Sequence, residues 1–246
     1  MANQIRSRPE QEIRFFPVVD TRQSTVLRYT VLLPAPRMAS EEAGASGWER
    51  DLAMVEATLK VLVELQRTGH IDTVRLSLPM HPAPLQDSKF IAALRQLLDD
   101  YTLSSGALFI DLIEPPTLNI SDLDALLAPL KALGINIGLD NYLPDSNSIP
   151  ALVATNVDCL MLHEQILVHL LNNATICRFL QGMTQLCEVL SKTMVVKGVN
   201  SAAQQQLLQS MGLRYMQGRY FSEPLLVTEL VSFEAELAKR RAPPSA

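Results

Sequence analysis

The sequence predicts an α/β fold, a modified TIM-type (β/α)8 barrel with an antiparallel strand near its amino terminus. Three observations predict it. Short apolar runs alternate with helical patterns along 246 residues, and alternation of that kind builds a parallel sheet. The chain is 48% hydrophobic and 19% charged, enough for one large core at a length a single α/β barrel commonly reaches. Only the first two runs are joined by a turn too short for a crossover helix, Thr21–Thr25, which makes them an antiparallel pair.

In chain order, residues 1–11 are polar and read as a disordered tail. The strand runs are IRFFPVV, TVLRYTVLL, TVRLSL, ALFIDLI, INIGLD, VDCLML, MVVKGV and RYMQG. Each is short, apolar and rich in β-branched or aromatic residues. After the second comes PAPRMASEEAGASG (34–47), whose Pro, Ala, Ser and Gly content reads as one surface loop. ERDLAMVEATLKVLVELQRT then places Leu52, Val55, Leu59, Leu62 and Val63 on one helical face. Helices are also expected over DSKFIAALRQLLDDY and over ISDLDALLAPLKALG, the latter with Ser121 as its N-cap and closing on Gly134. Three more are expected in NATICRFLQGMTQLCEVLSK, SAAQQQLLQSMG and VTELVSFEAELAKR. Residues 12–240 are thus expected to form a single barrel domain and 241–246 a flexible tail.

Composition excludes several functions. No apolar run reaches the length of a membrane span and no secretion signal opens the chain, so a cytoplasmic protein without membrane contact is expected. Cys159, Cys177 and Cys187 are odd in number and lack a C-x-x-C pair, which fits reduced thiols. A net charge of −5 without a basic tract speaks against direct nucleic-acid binding.

A barrel collects the carboxyl ends of its strands at one mouth, where such folds keep their chemistry. The polar residues expected there are Thr30, Ser77, Asp111 with Glu114, Asp140 with Asn141, Met161 with His163, Lys197 with Asn200, and Gln217. Acids at neighbouring strand ends can bind divalent ions, but three of them make a thin set for a two-metal hydrolase. Cys159 and His163 share a strand face, yet two ligands do not make a zinc site. Neither G-x-S-x-G nor G-x-G-x-x-G is present in a suitable place. Lys197 has two readings, a Schiff-base nucleophile or a rim lysine paired with an acid.

At these residues the chain resembles the EAL domain of bacterial cyclic di-GMP phosphodiesterases, from about Ile13 to Leu230. FFPVVD is similar to the family's Y-Q-P-I-V-D, and LKALGINIGLDN to L-R-x-L-G-x-x-x-A-L-D-D. VVKGVNSAAQQQLLQSMGLRYMQGRYFSEPL resembles V-A-E-G-V-E-T-x-E-Q, a helix, and L-G-x-x-x-x-Q-G-Y-x-F-S-x-P-L. Gly198, Val199, Gln204, Gly212, Gln217, Gly218, Phe221, Ser222, Pro224 and Leu225 all fall in register.

The resemblance implies that the family's metal and catalytic positions are altered here. Its namesake Glu-Ala-Leu falls on Thr30, Val31 and Leu32, and the metal-binding Asn of V-N-L-S on Ser77. The two glutamates of L-E-x-T-E fall on Asp111 and Glu114, and the Asp-Asp pair on Asp140 and Asn141. The loop after that pair reads Leu143, Pro144, Asp145 and Ser146. The lysine of K-I-D falls on Met161 and its aspartate on His163; the glutamates of E-G-V-E fall on Lys197 and Asn200. The ligand-contact Gln of Y-Q-P and the Arg after the namesake motif fall on Phe16 and Pro34, and proline cannot clamp a phosphate as arginine does. Lys197 is expected to pair with Asp111, Glu114 or Asp140.

With those positions altered, the resemblance implies a catalytically inactive module without cofactor or metal. It would regulate motility, adhesion, biofilm or virulence by binding a regulatory protein, with cyclic di-GMP an unlikely ligand and a homodimer possible. The alternative is a cyclic di-GMP receptor that binds the dinucleotide without cleaving it.

Overall fold

The computed structural model describes residues 13–32, 47–67, 74–101, 103, 106–113, 120–142, 152–168 and 170–240. The two expected tails, the loop expected over 34–47 except its last residue, Glu114, Pro34 and the 143–146 segment lie outside the described residues. Eight strands close a barrel in sequential order. They are β1 (Arg14–Asp20), β2 (Thr25–Leu32), β3 (Leu76–Met80), β4 (Leu108–Leu112), β5 (Asn136–Tyr142), β6 (Cys159–Leu162), β7 (Thr193–Val196) and β8 (Tyr215–Met216).

β1 pairs antiparallel with β2 and with β8, and all other neighbours are parallel. One mouth therefore gathers the carboxyl ends of β2–β8 together with the amino end of β1. The strands are buried on both faces, which is why they read as apolar runs rather than as clean alternation. Period-two geometry still sorts β2: Tyr29 reaches outward to Glu234, while Arg28 and Thr30 turn into the barrel.

The helices are α1 (Gly47–Arg67), α2 (Pro82–Leu85), α3 (Ser88–Asp99), α4 (Ile120–Ala132), α5 (Ala174–Val189), α6 (Ala202–Ser210) and α7 (Leu230–Lys239). Three start on side-chain caps, where Asp87, Asn173 and Ser201 accept otherwise orphaned backbone N–H groups. Leu59, Leu62, Phe90, Leu94, Leu127, Leu130, Leu180 and Leu208 are fully buried and belong to the main hydrophobic core. A smaller cluster, Val18, Cys159, Met161 and Val195, fills the barrel itself.

One helix, α2, is unexpected, and two expected bounds shift, α4 opening at Ile120 so that Ser121 is its second residue instead of its cap. The one-turn α2 has no periodic signal, being a Pro-led turn that opens after His81. β7 ends at Val196 instead of running through Val199, because Gly198 takes φ +78°, a conformation open to glycine and costly for other residues. Lys197 therefore stands just past the strand. No helix among the described residues is long and apolar enough to cross a membrane.

Candidate functional site at the barrel mouth

The site residues fall into three groups, each set by strand register. In the first, Thr30 of β2 lies opposite Phe16 of β1 and Ser77 of β3. Ser77 donates to Thr30 Oγ1 at 3.3 Å, and Gln217 Nε2 reaches the same oxygen at 3.1 Å and the Phe16 carbonyl at 3.2 Å. Thr30, Ser77 and Gln217 are all buried. This chain of neutral hydrogen bonds stitches β3, β2, β1 and β8 together where buried polar groups need partners.

The second group lies deeper. Asp111 on β4 faces Arg28 on β2, with Nη2 3.1 Å from Oδ2 and both side chains wholly buried. Arg28 Nη2 also approaches Met161 Sδ at 3.0 Å and Cys159 Sγ at 3.5 Å, and its Cζ lies 4.5 Å from the centre of the Phe109 ring. Sulfur and ring faces are weak partners for a guanidinium. Arg28 Nε and Nη1 and both Asp111 oxygens make no well-aligned hydrogen bond among the described residues. Burial raises the Asp111 carboxyl above its ordinary range, against the downward pull of Arg28 and Ser77. Gly138 on β5 makes the room, because a Cβ there would collide with Asp111 Oδ1.

The third group is at the rim. β5 shifts register between Leu139 and Tyr142, and Asn141 takes φ 53°, a left-handed conformation that asparagine tolerates better than most residues. A bulge of this kind re-aims side chains. Here it presents two neighbours to one cation: Lys197 Nζ donates to Asp140 Oδ1 at 2.6 Å and to Asn141 Oδ1 at 2.8 Å. The Lys197 and Asp140 side chains are 20% and 10% exposed, so the pair is partly open to the mouth. Of Asp111 and Asp140, the two described carboxylates expected to meet Lys197, it takes Asp140. Behind it, a Cβ on Gly198 would lie 2.5 Å from Glu164 Cβ and 3.2 Å from Glu164 Oε2, so a further carboxylate stands at the rim.

Not every expected residue joins these groups. Asn200 is exposed, and its backbone N–H donates to Gln204. Leu32 ends β2 without a polar role, and Met161 lies inside the barrel against the guanidinium. His163 caps the short 3-10 turn Glu164–Leu167, its Nδ1 accepting from the Gln165 N–H. Arg28 and Glu164 are absent from the residues expected at the mouth. Arg28 had a signal, since it stands two residues before Thr30 and so shares its strand face.

Do these residues fit the divalent ions that the resemblance implies for its family? Asp111 and Asp140 each face a cation of the chain, and no three His, Cys, Asp or Glu side chains among the described residues converge on a possible metal position. The described residues do not fit a divalent pair. A cavity of about 250 Å³ lies at the opposite end of the barrel, beside the start of β7 and β8. Its cations serve the fold: Arg214 bonds Asp20, Lys192 bonds the Thr155 and Val157 carbonyls, and Arg22 bonds that of Gly212.

A model of the EAL domain matches residues 2–224. Among curated relatives, the cyclic di-GMP phosphodiesterase PdeF of Escherichia coli is 22% identical over 71% of this chain and 23% of its own length. The probable cyclic di-GMP phosphodiesterase PdeN of the same organism is 22% identical over 92% of this chain and 48% of its own. The chain thus spans 23% and 48% of the length of these two relatives. The EAL domain of Mycobacterium smegmatis DcpA superposes with a TM-score of 0.77 at 18% identity, covering 94% of this chain and 97% of that one. The calcium and cyclic di-GMP complex of Klebsiella pneumoniae BlrP1 gives 0.74 at 22% identity, over 92% and 59%. At these identities the superpositions show the fold.

Three expectations are thereby corrected: that the chain is a regulatory interaction module, that it is no enzyme, and that cyclic di-GMP is an unlikely ligand. The relatives carry the name of cyclic di-GMP phosphodiesterases, and BlrP1 holds the dinucleotide on the same fold. The physical reason is that those expectations weigh substitutions one position at a time. The mouth also holds charged groups outside those positions, Arg28 beside Asp111 and Glu164 beside Gly198.

Proposed function

The chain belongs to the EAL domain family, and on that footing we propose that it serves cyclic di-GMP signalling by engaging cyclic di-GMP at the mouth of its barrel. The observation that carries this reading is the placement of Lys197. Its ammonium is held at the rim by Asp140 and Asn141 and remains partly open to the mouth. An ammonium has three donors, of which these contacts use two. Among the described residues the third has no partner, and a phosphodiester oxygen would meet it with a bond that its charge makes stronger than a neutral one. Gln217 and Thr30 give the adjoining wall a polar floor.

Isothermal titration of the chain with cyclic di-GMP tests the reading, with chromatography of the same sample to detect a linear dinucleotide product. Saturable one-to-one binding is expected. A folded chain that gives no saturable heat with millimolar dinucleotide overturns it. A linear product accumulating with time would add hydrolysis to the engagement proposed here.

A further inference from the structure

A divalent ion needs oxygens whose negative charge is not already committed. Asp111 and Asp140 project from β4 and β5, and each is engaged from within. Arg28 reaches Asp111 where neither side chain is exposed, and Lys197 reaches Asp140 at the rim. The two cations differ in how readily they could yield. A guanidinium does not deprotonate in proteins, so Arg28 could make way for an ion only by leaving bodily. It is boxed in by the Phe109 ring, Met161 and Cys159. Lys197 is on a flexible stem and partly exposed, so it can exchange one partner for another. A dication placed between the carboxylates would be repelled by both side chains, and at the wholly buried Arg28 screening is weak.

We propose that Arg28 and Lys197 are the site's own counter-ions, so that the mouth takes no divalent ion and a ligand phosphodiester meets Lys197 directly. Arg28 is the fixed member, holding Asp111 in the barrel. Lys197 is the exchangeable one, trading part of its contact with Asp140 and Asn141 for the ligand oxygen. The ligand half of this inference rests on the proposed engagement of cyclic di-GMP, whereas the ion half stands on the two pairs alone.

The test uses the whole chain and two independent signals. The first is titration with Mn²⁺ in the absence of nucleotide, followed by electron paramagnetic resonance of the free ion. No saturable binding is expected, and no variant is needed to read it. The second is the affinity for cyclic di-GMP in EDTA and in Mn²⁺. Equal affinity is expected in the two buffers, with a loss of about tenfold or more in Lys197→Met, the size of a charge-assisted contact. Stoichiometric Mn²⁺ binding that disappears in Asp140→Asn overturns the inference while leaving the proposed function intact. So does dinucleotide binding that requires Mn²⁺. Absence of dinucleotide binding in both buffers overturns the proposed function and the ligand half with it. The Mn²⁺ signal alone decides the ion half.

Discussion

Arg28 and Asp111 place two charges where water does not reach, and taking them there costs several kcal/mol per ion before their attraction returns any of it. Removing one member leaves the other buried and unpaired. Arg28→Met is expected to destabilise the fold by about 3–5 kcal/mol, read from the midpoint of urea unfolding. The double variant Arg28→Met/Asp111→Leu should recover most of that loss, because apolar groups of similar size replace a pair that is costly to bury. A double variant as unstable as the single would show that Arg28 acts through packing instead of charge. Lys197→Met is expected to cost less, about 1 kcal/mol or under, since its pair faces the mouth and is screened there. The rim pair was legible in part: Lys197 closes an apolar run and was expected to meet an acid, but the sequence left Asp111, Glu114 and Asp140 open as its partner. Arg28 was not legible, because a lone arginine inside a strand run is ordinarily read as facing solvent. Only its shared face with Thr30 pointed inward.

Among elements, strand identity and order were the most legible features, since eight short apolar runs between helical patterns leave few alternatives to a parallel barrel. Less legible were the details that depend on contacts between distant segments. The β5 bulge that turns Asp140 and Asn141 together toward Lys197 has no local signal beyond asparagine's tolerance of positive φ. The end of β7 was obscured because Val199 is as apolar as the strand it follows. The tie between α7 and β2 is of the same kind, with Tyr29 donating from the barrel wall to Glu234 Oε1 at 3.0 Å. Burial raises the Glu234 carboxyl above its ordinary range, against the downward pull of the Tyr29 hydroxyl. A carboxyl raised in the folded chain contributes most below its unfolded pKa, about 4.3. That contribution is lost as pH rises through the folded value. Glu234→Gln keeps an acceptor for Tyr29 and avoids burying a charge. It is expected to raise stability at pH 7 by up to about 1 kcal/mol and to flatten the gain otherwise seen on moving toward pH 4. Urea midpoints across that range check both effects, and a loss of stability in Glu234→Gln at pH 7 would refute the account.

For the molecule as a whole, the question is where a closed barrel opens first. Its seam is β1 against β8, which share only the pairs Val19 with Met216 and Asp20 with Tyr215. β1 and β2, by comparison, pair along seven positions. The seam is reinforced by Asp20, a buried carboxylate that accepts Arg214 Nε at 2.9 Å on each oxygen and also the N–H groups of Arg22 and Gln23. Burial pushes the Asp20 carboxyl upward, but the bonds from Arg214, Gln23 and Arg22 outweigh it, and the net direction is down. A carboxyl depressed in the folded state stabilises fully above its unfolded pKa, about 3.9. That contribution is lost as pH falls through the folded value. Asp20→Asn retains an oxygen for the turn N–H groups, so it isolates the charge. At pH 7 it is expected to cost about 1–2 kcal/mol, discounted for the part of Arg214 that water reaches. The difference between the two chains should shrink as pH falls below about 4 and vanish once Asp20 is protonated in the fold. Hydrogen exchange should report the same event locally, with the amides of Met216 and of Thr21, which donates to the Arg214 carbonyl, losing protection in acid before those of β3 and β4. If the two chains stay equally far apart throughout the acid range, the carboxylate charge is not what holds the seam. Closure would then rest on the apolar contacts of Val19 and Met216 and on the neutral bonds of Thr21 to Arg214 and of Gln217 to Phe16.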